Sequence, residues 1–277
     1  MNTPLLSISV ITYNHEKYLG SCLNSLLGQI TDFPFEIVVG EDCSTDGTRA
    51  ILKEFEAKYP EKIVPIYQNT NQGISRNLFG YVFPKIRGKY IAICDGDDCW
   101  TDPYKLQKQV DYMEAHPECA ITFHEANTIN EHGELIETGI ADGVVKVYKP
   151  LELIRISFPT VSAVFRNHFR EIRPEMLDTK SYDSYIFAVL SGYGGGANLS
   201  FVGASYRHHT GGVYSMIPKF TQFHWTIAHR KKMRAASIFN KEQKRELTKE
   251  IWRRKKLYIK FFVKRLDPVN ALKILFA

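Results

Sequence analysis

The chain has 277 residues, 44% of them hydrophobic and 24% charged, which excludes a wholly disordered protein and suits one large domain with an appendage. No run approaches the ~18–20 apolar residues that span a bilayer, and the five cysteines form no CxxC pair, which argues against a zinc site. The net charge of +6 is unevenly spread, because residues 218–277 hold 17 Lys and Arg against 4 Asp and Glu. This asymmetry predicts a mildly acidic body and a basic tail with its own partner.

Strand and helix patterns alternate through the first hundred residues. Short β-branched or apolar runs predict the strands, and apolar residues at helical spacing predict the helices between them. The predicted strands are Leu6–Thr12, Phe35–Gly40, Lys62–Tyr67 and Tyr90–Cys94, and the predicted helices begin near Leu19, Thr48 and Ser75. This alternation predicts an α/β sheet that is mostly parallel and covered by helices on both faces.

The second half of the chain is less regular, and its elements are predicted from shorter runs. In chain order they are a helix through Leu106, Val110 and Met113, strands at 120–123 and 144–148, a helix at 182–190, a glycine turn at 194–196, a strand at 200–206 and basic helices from Phe220 onward.

Polar side chains follow each of the first four predicted strands, at the sheet edge where such folds bind ligands. The densest cluster is Asp95, Asp97 and Asp98, directly after an apolar strand. Three carboxylates so close together repel each other unless a cation neutralises them, and oxygen ligands suit Mn²⁺ or Mg²⁺. The alternative is an acidic turn that caps the following helix.

Three blocks of sequence, in their order and spacing, resemble glycosyltransferase family 2: Ser9–Asn14, Glu36–Thr48 and Gly88–Trp100. The resemblance is strong over residues 5–120, becomes patchy as far as 215 and is absent beyond. It implies a GT-A fold, which is an open, mostly parallel twisted sheet flanked by helices. It also implies inverting transfer from a nucleoside-diphosphate sugar with the help of a divalent metal, Mn²⁺ or Mg²⁺.

The first two blocks carry the residues that the resemblance assigns to the nucleotide. Tyr13 matches the aromatic residue that stacks on the donor base, Thr12 lies beside that base, and Asn14 completes the block. Asp42 matches the carboxylate that accepts a hydrogen bond from the base, which is expected to be uracil. The alternative for Asp42 is a helix N-cap or a turn residue.

The third block carries the metal and phosphate assignments. Asp97 matches the acid that faces the ribose and the metal, Asp98 the acid nearest the metal, and Asp95 the first acid of the signature; direct ligation is not apportioned among them. Arg76 and Asn77 occupy the positions that line the diphosphate pocket in the family, with a plain surface helix as the alternative.

Inversion by a single displacement requires a carboxylate that takes the proton of the acceptor hydroxyl. The resemblance assigns this role to Asp183, although Tyr182 replaces the Glu or Gly that commonly precedes the base. Asp178 is the rival, and a first-turn helix acid is the alternative for Asp183. His209, next to His208 in a Tyr-Arg-His-His segment, matches the histidine that approaches the diphosphate or the metal.

The basic tail carries one apolar helical stripe with Lys and Arg around it. This pattern suits a helix that lies on an anionic membrane surface, here within residues 242–277, or a helix that packs on the domain with a solvated basic face. No nucleic-acid-binding motif accompanies the charge, so no nucleic acid is expected as a partner. The stripe consists of Leu247, Ile251, Tyr258, Phe262 and Leu266.

The sequence is thus interpreted as a GT-A domain at 1–217, with a nucleotide-binding half at 1–115, an acceptor half at 116–217 and a basic helical tail at 218–277. The leading hypothesis is transfer of a sugar from a UDP-sugar to a glycan or lipid-linked acceptor in bacterial surface polysaccharide synthesis. A nucleotidyltransferase, which should carry a Gly-rich basic loop where this chain has Tyr13–Glu16, and a sugar-nucleotide-binding module without catalysis are the alternatives. No signal peptide is apparent, so we expect a cytoplasmic protein, peripheral on the inner face of the plasma membrane if the tail binds lipid.

Overall fold

The computed structural model describes residues 3–179, 181–211 and 217–277. Ten strands in these residues form one mixed sheet. In chain order they are β1 (Leu6–Thr12), β2 (Phe35–Glu41), β3 (Ile63–Tyr67), β4 (Tyr90–Ile93), β5 (Cys99–Trp100), β6 (Cys119–Ile129), β7 (Leu135–Glu137), β8 (Lys146–Tyr148), β9 (Val164–Arg166) and β10 (Gly195–Arg207). Across the sheet the order is β3-β2-β1-β4-β9-β6-β10-β5, with β7 paired to β6 and β8 to β10.

Helices cover this sheet and form the end of the chain. The α-helices are α1 (Leu19–Leu27), α2 (Thr48–Lys58), α3 (Lys105–Ala115), α4 (Tyr182–Leu190), α5 (Lys219–Ala235), α6 (Lys241–Val263) and α7 (Pro268–Phe276). A π-helix spans Arg76–Val82, and short 3-10 helices span Phe83–Lys85, Pro150–Ile154, Thr160–Ser162 and Pro174–Met176.

The first four strands confirm the prediction from the sequence. β1 pairs in parallel with β2 and β4, and β2 pairs in parallel with β3. Every residue of β1 and β2 is buried, because helices cover both faces of this part of the sheet. Val10 of β1 belongs to the same core as Leu23 of α1, whereas its neighbour Ile11 belongs to the core that contains Phe79 of the π-helix.

The second half of the chain extends the same sheet with mixed directions, so fewer strands are parallel than predicted. β9 is antiparallel to both of its neighbours, β4 and β6, whereas the long pairing of β6 with β10 is parallel. The predicted glycine turn at 194–196 is wrong, because Gly195 and Gly196 lie in β10. A Cβ atom at Gly195 would lie 2.3 Å from the carbonyl oxygen of Tyr148 in β8, so these glycines permit close pairing of strands.

The tail packs on the domain rather than extending from it. Leu247 of α6 is part of the main core, and Ile251, Tyr258 and Phe262 form a small core with residues of α5 and α7. The apolar stripe that the sequence offered to a membrane is therefore largely buried in protein, and only Leu266 of that stripe is exposed. Among the described residues, no helix combines the length and apolar character needed to cross a membrane.

Candidate active site

The loops that follow β1, β2 and β4 meet at the carboxyl edge of the parallel strands. The backbone amide of Asp42 donates to the carbonyl of Thr12 (3.0 Å), and that of Gly96 donates to the carbonyl of Ile11 (2.9 Å). A Cβ atom at Gly96 would lie 2.7 Å from Oγ1 of Thr12, so the acidic loop approaches β1 this closely only because it has glycine there. Polar groups from three strands are thereby brought to one edge.

Three of the predicted nucleotide contacts lie at the end of β1. Tyr13 is 42% exposed, so its ring is accessible, whereas Thr12 is buried and its Oγ1 has no hydrogen-bond partner in the described structure. Asn14 adopts a left-handed backbone with a φ of 55°, and its Oδ1 accepts a hydrogen bond from the backbone amide of Thr45 (2.9 Å). Asn14 therefore fixes the loop after β1 to the loop after β2.

Asp42 orders the loop that follows β3. Its two carboxylate oxygens accept hydrogen bonds from the backbone amides of Gln72 (2.7 Å) and Gly73 (2.9 Å). It does not cap α2, since Oδ1 of Asp46 accepts the hydrogen bond from the amide of Thr48, where that helix begins (3.0 Å). Each oxygen of an ionised carboxylate has two lone pairs, so Asp42 can still accept a donor from a ligand.

Two imidazoles and one carboxylate converge beside the acidic loop. Nε2 of His209 lies 3.0 Å from Oδ2 of Asp97, and Nε2 of His15 lies 3.8 Å from the same oxygen. Ligand atoms of all three residues lie within 4.8 Å of one another, and within residues 3–179, 181–211 and 217–277 this is the group that could hold a metal ion. Residues after β1, β4 and β10 thus contribute to one site.

Asp98, predicted to lie nearest the metal, is outside this group. Its carboxylate is buried, and Oδ1 accepts a hydrogen bond from the backbone amide of Arg207 (2.8 Å). Nε of Arg207 donates in turn to the carbonyl of Asp97 (2.9 Å). Asp98 therefore connects the acidic loop to the end of β10, two residues before His209.

The three acids differ in how readily they ionise. Burial, followed by the charge of Asp97, raises the pKa of Asp95 to about 7 and holds the pKa of Asp98 well above its usual range. Burial also opposes the charge of Asp97, but the hydrogen bond from His209 and the two imidazoles outweigh it and lower the pKa of Asp97. If the carboxyl groups of all three acids are ionised, they repel each other, so a positive charge is needed beside them.

The residues present fit a divalent cation. Besides the three converging ligands, Oδ1 of Asp95 and Nδ1 of His15 are buried without a hydrogen-bond partner in the described structure, which is costly unless a ligand or water satisfies them. A mixed set of imidazole and carboxylate ligands suits Mn²⁺ better than Mg²⁺, which favours oxygen ligands and retains its waters.

Asp183 lies in the first turn of α4, and the residue before it fastens that helix to the acidic loop. The hydroxyl of Tyr182 donates to Oδ2 of Asp95 (2.7 Å), and Ser181 donates to Oδ1 of Asp183 (2.7 Å). The charge of Asp183 also contributes, after burial and Asp97, to the raised pKa of Asp95. The rival Asp178 has a side chain that is 72% exposed and forms an ion pair with Lys232 (3.0 Å).

The two residues predicted for the diphosphate have different surroundings. Arg76 is exposed at the start of the π-helix. Asn77 is 1% exposed, its amide nitrogen donates to the carbonyl of Gly40 (2.9 Å), and its oxygen accepts from the side chain of Gln68 (3.2 Å). Because both ends of this amide are used inside the fold, Asn77 positions its neighbours, and of this pair only Arg76 is accessible to a ligand.

Two residues of the site were not assigned from the sequence. His15 directly follows the Tyr-Asn pair of the first block, but nothing in its spacing relates it to residues 97 and 209. Tyr182 stood out only as a departure from the family pattern, and its role depends on the position of α4 against the loop after β4. In both cases the missing information was a contact between distant segments.

Tyr182→Phe should lower the free energy of unfolding of the metal-free protein by ~1.5–3 kcal/mol, the usual range for a hydrogen bond to a charged group. The carboxylate of Asp95 would remain buried after losing its donor. Urea denaturation at a pH above 7, where Asp95 is ionised, measures the difference. Tyr206→Phe is the control, because its hydroxyl has no hydrogen bond in the described structure; equal losses in both variants would contradict the role of Tyr182.

The described residues thus form an α/β domain with a mixed sheet, in which an acidic loop follows β4 and two histidines lie against that loop. The family model described as glycosyl transferase family 2 matches residues 7–171. The chain therefore belongs to glycosyltransferase family 2.

Two solved structures show that the fold is GT-A. Staphylococcus aureus TarS 1–349 in complex with UDP-GlcNAc matches with a TM-score of 0.65 and 18% identity, over 97% of this chain and 90% of that chain. The mannosyltransferase PcManGT of Pyrobaculum calidifontis, in complex with GDP-Man and Mn²⁺, matches with a TM-score of 0.63 and 16% identity, over 99% of this chain and 75% of that chain.

Among curated relatives, the putative teichuronic acid biosynthesis glycosyltransferase TuaG of Bacillus subtilis is 36% identical over 122 residues, which are 43% of this chain and 46% of TuaG. The chain spans less than half the length of several curated relatives that it matches.

Proposed function

We propose that the protein is an inverting glycosyltransferase that moves a sugar from a nucleoside-diphosphate sugar to a hydroxyl of a glycan or lipid-linked acceptor. The observation that carries this proposal is the hydrogen bond between Tyr182 and Asp95 (2.7 Å). It holds the acidic loop of the donor side against the start of α4, where Asp183 stands. This contact supports the proposal that the donor site and the base lie at one edge of the sheet.

The proposed reaction is a single displacement. The oxygen of the acceptor hydroxyl forms a bond to the anomeric carbon of the sugar while the bond from that carbon to the diphosphate oxygen breaks. Asp183 takes the hydroxyl proton, and the nucleoside diphosphate leaves with the electron pair of the broken bond. Attack from the face opposite the leaving group inverts the configuration at the anomeric carbon.

His15, Asp97 and His209 would hold the divalent cation. When bound, such an ion supplies positive charge that stabilises the departing diphosphate. Asp98 would keep this set in place through its hydrogen bond from the backbone amide of Arg207, and Asp95 is held by Tyr182.

A UDP-sugar is the proposed donor, and cell-surface polysaccharide synthesis is the proposed role. TarS is named a poly(ribitol-phosphate) beta-N-acetylglucosaminyltransferase and has been solved with UDP-GlcNAc, and TuaG is named for teichuronic acid biosynthesis. In this chain the accessible ring of Tyr13 and the free lone pairs of Asp42 support uracil recognition. We propose that the reaction takes place in the cytoplasm.

The activity is tested by UDP release from UDP-N-acetylglucosamine and UDP-glucose in the presence of Mn²⁺. Release with either donor supports the proposal. A protein that binds both donors and releases UDP from neither, with or without added acceptor glycans, would instead be a sugar-nucleotide-binding module.

The donor base gives a separate prediction. UDP with Mn²⁺ should raise the melting temperature more than GDP or CMP does, and Asp42→Ala should weaken UDP binding by ~1.5–3 kcal/mol, because a donor from the base would lose a charged acceptor. Titration calorimetry measures the affinity. Since Asp42 also orders residues 72 and 73, Gln72→Gly serves as a control for loop mobility, and equal stabilisation by the three nucleotides would overturn the assignment to uracil.

A further inference from the structure

An exposed apolar surface lies on the outer side of α7 and at the turn that joins it to α6. We define this α7 surface by four residues whose exposed fractions range from 58% to 91%: Leu266, Val269, Leu272 and Phe276. Large apolar residues grouped in this way mark interaction sites more often than those scattered singly. The surface is far along the chain from the acidic loop and shares no residue with it.

The orientation of α7 is fixed by its opposite face. Ala271 and Ile274 are buried in the small core with Tyr258 and Phe262 of α6. At 100° per residue, positions 269, 272 and 276 point away from these two buried residues. The apolar side chains therefore face outward because of how the helix packs, and the helix cannot rotate to hide them without losing its own core.

Leu266 stands where the fold prefers glycine. Its φ is 55°, in the left-handed region, and the backbone amides of Leu266 and Asp267 donate to the carbonyls of Val263 (3.1 Å) and Phe262 (3.0 Å). These two bonds define a Schellman motif at the end of α6, in which the left-handed position is usually Gly or Asn. A leucine in this position carries backbone strain, and its side chain, which is 91% exposed, buries little apolar area in the fold.

The segment of the chain that carries the α7 surface is rich in positive charge. Residues 252–277 contain eight Lys and Arg and one acid, Asp267. That acid is used within the fold, since its carboxylate accepts hydrogen bonds from the backbone and side chain of Asn270 at the start of α7. The exposed basic residues nearest in sequence to the apolar ones are Lys260, Lys264, Arg265 and Lys273.

We propose that the α7 surface docks the protein on an anionic membrane, with its apolar side chains in the headgroup region and the basic residues against lipid phosphates. An apolar strip flanked by Lys and Arg matches both components of such an interface. An open groove of about 440 Å³ lies between α5 and α7 and is lined by Phe220, Leu272 and Phe276. It shares Leu272 and Phe276 with the α7 surface and adds the apolar ring of Phe220 to it. The inference does not depend on the proposed glycosyl transfer.

A protein partner is the competing occupant. The cores of protein interfaces are depleted of lysine. Residues 252–277, which include the α7 surface, hold eight Lys and Arg against one acid. The surface therefore favours a partner that is uniformly anionic.

Sedimentation of the full chain with vesicles tests the proposal, using phosphatidylcholine alone and phosphatidylcholine with phosphatidylglycerol. Binding is expected only to the mixed vesicles and should fall with added salt. Lys264→Gln should weaken it about fivefold, whereas the exposed Lys85→Gln should not. Leu272→Ser should weaken it about tenfold, and Ile136→Ser is the matched control, since the two side chains are 58% and 59% exposed.

Leu266→Gly separates membrane binding from stability. It should weaken vesicle binding about tenfold while the melting temperature stays the same or rises, because glycine adopts the left-handed conformation without strain. Equal binding to neutral and mixed vesicles, no binding to either, or equal loss in Leu272→Ser and Ile136→Ser would overturn the proposal. So would a change of oligomeric state in Leu272→Ser without any change in vesicle binding, which would identify a protein interface.

Discussion

Asp183→Asn should reduce the rate of sugar transfer by about 10²–10⁴-fold, the usual contribution of a general base. The amide keeps the size of the side chain and its oxygen can still accept the hydrogen bond from Ser181, but it cannot take the proton of the acceptor hydroxyl. Affinities for UDP and Mn²⁺ should match those of the parent, because the lost interaction exists only in the transition state. Steady-state kinetics with titration calorimetry on the same samples measures both.

Asp178→Asn is the matched control for this substitution. Asp178 precedes α4, and Asp183 lies in its first turn. The side chain of Asp178 is largely exposed and pairs with Lys232 of α5. Loss of that surface ion pair should leave turnover within about twofold of the parent, since such pairs contribute ~0–1 kcal/mol. If Asp178→Asn is the inactive variant and Asp183→Asn is active, the assignment of the base and of the acceptor side is wrong.

The sheet was predictable where its pattern is local. Strands β1, β2 and β4 are buried along their whole length, and β3 is a partly buried run of the same kind. Segments with helical spacing separate these runs, so the number, order and direction of the strands follow from the sequence. The prediction failed where a strand is short and its partners are distant. Val164–Arg166 is too short to give a periodic signal, and its place between β4 and β6 depends on contacts across more than forty residues.

The glycines at 194–196 differ from their prediction for a related reason. A run of three glycines predicts a turn from local preference alone. In the structure Gly195 is needed because β8 approaches the backbone of β10, and that approach is a property of the pair of strands. Sequence preference does not distinguish these two uses of glycine.

The candidate metal site was also predictable only in part from the sequence. Asp97 and His209, predicted from the family pattern, lie 3.0 Å apart although 112 residues separate them. His15 joins them because the loop after β1 lies beside the loop after β4, which no spacing along the chain reveals. Asp98 is adjacent to Asp97 in sequence, yet its carboxylate points toward the backbone of Arg207, since consecutive residues in a turn face different directions.

The tail illustrates why amphipathic pattern alone cannot identify a partner. The stripe through Ile251 and Phe262 has the spacing of a membrane-binding face, but α5 and α7 bury it. The exposed apolar face of α7 gives only a weak periodic signal, because the helix has nine residues, from Pro268 to Phe276. Which apolar face remains exposed is decided by packing between helices, so it could be assigned only from the structure.

Asp97→Asn should abolish the Mn²⁺ dependence of nucleotide binding and lower kcat/KM by about 10²–10⁴-fold. The amide preserves shape and the hydrogen bond from His209 but removes the one anionic ligand of the group. Stabilisation of developing charge by a metal ion is worth several kcal/mol, and each 1.36 kcal/mol is tenfold in rate. Calorimetry with Mn²⁺ alone, then with Mn²⁺ and UDP, measures the loss independently of turnover.

Three histidines make this prediction specific. His209→Ala and His15→Ala should each weaken Mn²⁺ binding, whereas His208→Ala, which removes an exposed imidazole next to His209, should not. Asp98→Asn should alter Mn²⁺ affinity less than Asp97→Asn does, because it can retain the hydrogen bond from Arg207 that positions the site. Unchanged Mn²⁺ affinity in both His15→Ala and Asp97→Asn, or full turnover in excess chelator, would show that the reaction does not use a cation held by this group.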